Sequence, residues 1–204
     1  MRLGLFGGTF DPPHVGHLIV ASDAFELLRL DSLIFVPAAQ QPLKRGQTVA
    51  PPEARLQMVR EMVGSDPRLG VDSAEIDRSG LSYTVDTLQW YAEHQSNAER
   101  FFLIGADSFR SLESWREPER VVSLAHLALL ARSGNGAADV DEATFREQVR
   151  RLGGDGALEP VVVATRRVDI SSTEVRERIH DRKSIAGFVV DAVARYIADS
   201  GLYR

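Results

Sequence analysis

Five short stretches of this chain are continuously apolar: residues 3–6, 32–36, 101–105, 126–131 and 160–164. A strand with one wet face alternates apolar and polar residues, whereas a strand covered on both faces does not. Between these stretches apolar residues recur at helical spacing. Leu18, Ala21, Phe25 and Leu28 make one stripe, with Val15 and Ile19 beside it. Further helices are expected over residues 52–63, 84–94, 117–124, 141–152 and 188–198, with a short strand at 69–71. Residues 75–84 are read as a connection. Strand and helix in alternation predict an α/β, doubly wound, mostly parallel sheet with right-handed crossovers, which is a Rossmann-like architecture.

Length and charge narrow the function. The 204 residues can bury one sizeable core, and no low-complexity linker divides them, so one domain over residues 1–204 is expected, its helical C-terminal portion starting near residue 170. A net charge of −5 disfavours general nucleic-acid or membrane-surface binding but leaves room for a local anion pocket. The absence of cysteine excludes disulfides and thiolate metal sites. Glycines interrupt the first apolar stretch at once, so neither a leader nor a membrane span is expected, and the chain reads as a cytoplasmic protein. A homo-oligomer stays open.

Residues 7–17 read GGTFDPPHVGH and fall between the first strand and the first helix. In an open parallel sheet that is where ligands bind. Gly7 and Gly8 allow tight turns and close backbone approach. The start of the helix offers unpaired N–H groups and the positive end of its dipole. His14 and His17, three apart, share a helix face and can meet one phosphate. The GK[ST] ending of a Walker loop is absent, as is GxGxxG. A zinc site built on H-x-x-H with Asp11 is short of ligands. Near the other terminus, DISSTEVRERI begins a helix, with Ser171 and Glu174 spaced as a capping box. Arg176 lies a turn in from Ser172, on the same side. Ser171, Ser172 and Thr173 gather hydroxyls and N–H groups at a positive helix end, which makes a second anion cradle.

The first stretch resembles the GxFDPxHxGH signature of the nucleotidyltransferase superfamily. The second resembles its ISSTxxR motif, which holds the β- and γ-phosphates of ATP. The middle and end of the chain are similar to bacterial nicotinate-nucleotide adenylyltransferases: RSGLSYTVDTL at 78–88, IGADSF at 104–109 with Trp115 following, and YIADSGLYR at the end. Phosphopantetheine adenylyltransferases share the first motif, but they are shorter and lack the SYT stretch.

This resemblance implies transfer of the adenylyl group of ATP to nicotinate mononucleotide, giving deamido-NAD and pyrophosphate, with Mg²⁺ accompanying ATP. It assigns catalysis to His14 and His17. ATP would be bound by Gly7, Gly8, Thr9, Phe10, His14, Gly16 and His17, and by Ile170, Ser171, Ser172, Thr173 and Arg176. The acceptor would be bound by Lys44, Tyr83, Thr84, Gly105, Asp107, Trp115 and Arg132. Tyr83 and Thr84 would offer backbone N–H groups to the nicotinate carboxylate, and Trp115 would stack on the pyridine ring. Asp107 is also expected to cap the helix that follows it. In the family the loop around Lys44 reads PPHK or PPHR, where this chain has QPLK. At Arg132 the family has Arg-Pro-Gly, where this chain has Arg-Ser-Gly. The alternatives are an adenylyltransferase preferring nicotinamide mononucleotide or phosphopantetheine, and a non-catalytic nucleotide-binding regulator. A class I aminoacyl-tRNA synthetase would need a longer chain.

Overall fold

The computed structural model describes residues 1–42, 50–133 and 140–204; at 132 and 133 only the backbone is described. Six parallel strands form one sheet: β1 (Arg2–Gly8), β2 (Ser32–Pro37), β3 (Leu69–Val71), β4 (Glu99–Gly105), β5 (His126–Ser133) and β6 (Val161–Arg166). Their order across the sheet is β3-β2-β1-β4-β5-β6. The order reverses between β1 and β4, which pair from Arg2↔Glu99 to Leu5↔Phe102. Such a reversal opens a crevice above the carboxyl ends of the two strands.

The strands are apolar throughout because each feeds two cores. On β1, Leu3 and Leu5 face one core while Phe6 faces the other. On β4, Phe101 and Leu103 alternate in the same way with Phe102 and Ile104. The first core is closed by α1 (Val15–Leu27), α2 (Pro52–Val63), α8 (Ser172–His180) and α9 (Asp191–Ser200), through residues such as Ala24, Met58, Val175 and Ile197. The second is closed by α4 (Thr84–His94), α6 (Pro118–Leu124) and α7 (Glu142–Gly153), through Leu88, Val122 and Phe145. Helices on both faces of a parallel sheet are the predicted layering. Among the described residues no helix is long and apolar enough to cross a membrane.

Two short helices depart from the sequence reading. Residues 75–84 are not simply a connection, since α3 (Ala74–Arg78) runs into them, and α5 (Ala106–Arg110) follows β4 directly. Each is five residues long, too short for a periodic pattern to show. The first helix ends at Leu27, and Arg29 turns the chain with φ of 49°. His126 stacks on Phe101 with ring centroids 5.0 Å apart, which gives it a structural place.

Candidate active site

The stretch after β1 turns sharply. Phe10 takes a left-handed conformation with φ of 52°, uncommon for a residue with a bulky side chain. Its ring packs edge-on to Phe6 and Phe35, with centroids 5.8 and 5.7 Å away, so burial in the core holds the strained turn. With Phe10 turned inward, the backbone from Gly7 to Thr9 faces the crevice. Gly8 is needed there, because a Cβ would lie 2.8 Å from the Phe10 ring.

His14 is the N-cap of α1. Its backbone N–H donates to Nδ1 of His17 at 3.1 Å, and the two rings stack with centroids 3.7 Å apart. An Nδ1 that accepts leaves the proton of neutral imidazole on Nε2, which makes His17 a donor. Burial pushes the His14 pKa down to about 4. It also holds His17 well below the usual histidine range, and the neighbouring His14 adds to that lowering. Both rings are therefore neutral at pH 7 and serve as hydrogen-bonding groups. Thr9 Oγ1 and His14 Nδ1 are buried with no hydrogen-bond partner among the described residues. Buried polar atoms of this kind normally find partners, so a polar ligand at this position would complete them.

The two distant motifs meet. Ser172 Oγ donates to the Pro12 carbonyl at 2.8 Å, and Arg176 Nη1 donates to the Asp11 carbonyl at 2.7 Å. The Ser171 hydroxyl caps α8 by accepting the Glu174 N–H at 3.1 Å, the capping half that the sequence predicts. All twelve residues expected to hold ATP line one cleft of about 820 Å³, together with Gly105 and Asp107. Arg110 and Arg166 line it as well, each paired with a carboxylate, Arg110 with Asp107 and Arg166 with Asp23.

The remaining expected residues are placed differently. Asp107 does not cap α5: Gly105 occupies the N-cap, and the exposed Asp107 carboxylate pairs with Arg110 at 2.7 Å. Tyr83 is the N-cap of α4 and Thr84 its first residue, so the expected helix start is present. Neither lines the main cleft, and nor does Trp115. Trp115 packs edge-on to Phe102, and its Nε1 donates to Ser111 Oγ at 3.2 Å. The next residue, Arg116, sets its guanidinium 4.9 Å from the Tyr83 ring, which brings the Trp115 segment against the start of α4. Lys44 lies outside the described residues. Arg132 sits near the end of β5, paired in register with Thr165, and its side chain lies outside them too.

The sequence reading missed Arg166, Arg110 and Arg55. Arg166 ends β6 at the rim of the cleft, and its backbone N–H and side chain both bind Asp23 of α1. Its position just where a strand stops was the available signal. Arg55 is fully buried on α2 and carried no signal, because nothing near it in sequence explains it.

Fold and cleft together define a nucleotidyltransferase of the cytidylyltransferase-like class, and the corresponding family model matches residues 5–178. Curated relatives narrow this. A probable nicotinate-nucleotide adenylyltransferase of Gemmatimonas aurantiaca is 46% identical over 100% of this chain and 93% of its own. One of Thermus thermophilus is 43% identical, with 100% of both chains covered. The chain belongs to the nicotinate-nucleotide adenylyltransferase family. The fold is shared with nicotinic acid mononucleotide adenylyltransferase of Plasmodium falciparum. Its complex with NaAD superposes with a TM-score of 0.78 at 19% identity, covering 99% of this chain and 97% of that one. Its complex with APC gives 0.76, covering 99% and 96%.

Proposed function

We propose that the whole chain works as one domain that adenylates nicotinate mononucleotide with ATP, releasing pyrophosphate and deamido-NAD. The observation that carries this reading is the junction of the two motifs through Ser172–Pro12 and Arg176–Asp11. It sets the start of α1 and the start of α8 on one cleft. Two helix N-termini facing one space suit a chain of phosphates held between them.

An oxygen of the mononucleotide's 5′-phosphate attacks the α-phosphorus of ATP. The new P–O bond forms in line with the bond to the β-phosphate bridging oxygen, which leaves with pyrophosphate. The nucleophile is already an anion, so no base has to deprotonate it. Catalysis then rests on positioning and on neutralising charge. His17 Nε2–H and His14 would donate to the reacting phosphates. Ser171, Ser172, Thr173 and Arg176 would hold the β- and γ-phosphates, with Gly7, Gly8, Thr9, Phe10, Gly16 and Ile170 shaping the cleft. The acceptor side would draw on Tyr83, Thr84 and Trp115, with Gly105, Asp107, Lys44 and Arg132. The backbone N–H groups at the start of α4 suit a carboxylate, which only accepts. An amide there would point its NH₂ at N–H donors.

Enzymes of this class use a divalent cation with the nucleotide. We assign Mg²⁺. Among the described residues no group of three or more metal-ligating side chains is assembled. The ion would be carried mainly by the triphosphate and its own waters, and it would screen phosphate charge. The protein's share is the arginines and helix ends around it.

The test is pyrophosphate release with ATP and each of nicotinate mononucleotide, nicotinamide mononucleotide and phosphopantetheine. The nicotinate form is expected to give the highest kcat/KM. Equal or faster turnover of phosphopantetheine would remove this reading. Absence of turnover on every acceptor, with ATP still bound, would leave a regulator.

A further inference from the structure

The reaction as described uses the cleft face of the loop from Thr9 to Pro12 and leaves its rear face unexplained. Behind that loop sits Arg55 of α2, fully buried. Its guanidinium makes four hydrogen bonds, all to backbone carbonyls: Nη1 to Thr9 and to Ala38, both at 2.7 Å, Nη2 to Ala39 at 2.8 Å, and Nε to Ala50 at 3.2 Å. These carbonyls come from three segments that have left regular structure: the loop after β1, the exit of β2 and the approach to α2. Arg55 reaches all three at once, beside the single links Ala38 N–H to the Gly8 carbonyl and Ala50 N–H to the Asp11 carboxylate. Burying a cation opposes folding unless hydrogen bonds and nearby charge offset the loss of water. Four carbonyls and the neighbouring Asp11 supply both.

Asp11 is the second fixed point. Its buried carboxylate accepts the Ala50 N–H at 3.1 Å and the Tyr203 hydroxyl at 2.6 Å. Its carbonyl is the one that receives Arg176. Ala50 is thus gripped on both sides, by Asp11 through its N–H and by Arg55 through its carbonyl. Tyr203 stands next to last in the sequence and reaches back 192 positions to Asp11. Neither Arg55 nor Tyr203 lines the main cleft.

We propose that Arg55 and Tyr203 are positioning residues for adenylyl transfer. They fix the backbone from Thr9 to Pro12 from behind, Arg55 through the Thr9 carbonyl and Tyr203 through the Asp11 carboxylate. This rests on the adenylyl-transfer reading. The loop they hold carries the buried, unpartnered Thr9 hydroxyl and the two carbonyls that dock the α8 motif. In-line transfer needs a near-attack geometry, and a misplacement of about 1 Å can reduce turnover by about a hundredfold. The clamp explains why the end of the chain folds back onto the start of the site, and why a buried cation occupies α2.

The experiment compares wild type, Tyr203→Phe, Arg55→Lys, Asp11→Asn and, as a control, Tyr91→Phe. Tyr91 donates a similar 2.6 Å hydrogen bond, to Asp72, beside the other core. Each variant is measured for kcat and KM with ATP and nicotinate mononucleotide, for ATP Kd and for Tm. Tyr203→Phe keeps the ring and loses one O–H. Its kcat is expected to fall about tenfold, with the KM of nicotinate mononucleotide within about twofold of wild type. Arg55→Lys keeps the charge but cannot span four carbonyls, and a fall of about a hundredfold is expected. Adding Tyr203→Phe to Asp11→Asn should cost less than in the wild-type background, since both act on one contact. Tyr91→Phe should lower Tm comparably with kcat unchanged. If Tyr203→Phe and Arg55→Lys lower Tm as Tyr91→Phe does and leave kcat intact, the proposal is overturned while the reaction assignment stands. If wild type does not turn over nicotinate mononucleotide, the reaction assignment fails and the clamp is judged on ATP Kd. A severalfold weakening in both variants supports it, and unchanged binding overturns it.

Discussion

His17 is locked to His14: Nδ1 of the former accepts the backbone N–H of the latter at 3.1 Å, and the rings stack 3.7 Å apart. The arrangement does two things at once. It satisfies an N–H at the start of α1 that has no partner within the helix, and it fixes which nitrogen of His17 carries the proton. His17→Ala removes both. The expected result is a fall in kcat of about 10²–10³-fold, the usual scale for losing a preorganised donor to developing charge. The KM of ATP should move much less, because the α8 cradle is intact. Steady-state pyrophosphate release reads both. A variant that loses ATP binding while keeping kcat would place His17 in ground-state binding instead.

The same burial predicts how stability depends on pH. The folded His14 takes up its proton only near pH 4, whereas in the unfolded chain it does so near 6.5. Between these values the unfolded state binds more protons, so stability is full above pH 6.5 and falls as pH drops toward 4. For His14 alone the loss is about 3 kcal/mol at 1.36 kcal/mol per pH unit. His17, lowered in the same direction, steepens it. Thermal unfolding from pH 8 to pH 4 is expected to show a plateau and then this decline. His14→Gln, neutral at every pH, should make the decline shallower. Saturating ATP should do so too, because a nearby anion favours the protonated ring.

Gly16 separates the two histidines, and a side chain there has no room. A Cβ would lie 2.9 Å from His14 Nδ1 and 3.2 Å from Val168 Cγ1. Gly16→Ala must therefore displace the His14 ring or the segment after β6, both of which border the cleft. Helix propensity alone would favour alanine by about 1 kcal/mol. We expect Tm to change little while kcat/KM for ATP drops by more than tenfold. A variant with wild-type kinetics would mean that the His14 ring can move without consequence.

The fold could be read because its strands are apolar on both faces. Leu3, Leu5 and Phe6 announce burial whichever core each meets. The site could be read only where its residues are neighbours in sequence. GGTFDPPHVGH and ISSTEVR are local patterns shaped by helix ends, which short stretches can display. Arg55, Asp11 and Tyr203 form one cluster from positions up to 192 apart, and no periodicity encodes that. The sequence points to Asp107 as a cap, but Gly105, extended at φ of −83° and ψ of 169°, takes that role. Arg166 was overlooked because it looks like an ordinary end of strand until Asp23 is seen beside it.

Behind the start of α4, which we propose meets the acceptor, lies a buried polar network in which Glu75 joins residues of the R-x-G-x-S-Y-T-x-x-T pattern. Glu75 accepts the Thr87 hydroxyl at 2.6 Å and a hydrogen bond from Ser82, and burial raises its pKa. Arg78 Nη2 donates to Thr87 Oγ1 at 2.8 Å, and Ser82 Oγ accepts the Ala39 N–H at 2.9 Å. The network ties the exit of β2 to the residues just before Tyr83 and Thr84, so it sets where their N–H groups point. Thr87→Val keeps the shape and removes one donor and one acceptor. Leaving buried Glu75 short of a partner should cost about 1–3 kcal/mol of stability. It should also loosen the N–H pair proposed to receive the nicotinate carboxylate, since that contact depends on direction. We expect the ratio of kcat/KM for nicotinate over nicotinamide mononucleotide to fall by about tenfold, mainly through the KM of the nicotinate form. Measuring both substrates on Thr87→Val beside a Tm determination decides it. A lower Tm with the ratio unchanged would confine the network to holding the fold, and the choice between acid and amide would then rest elsewhere.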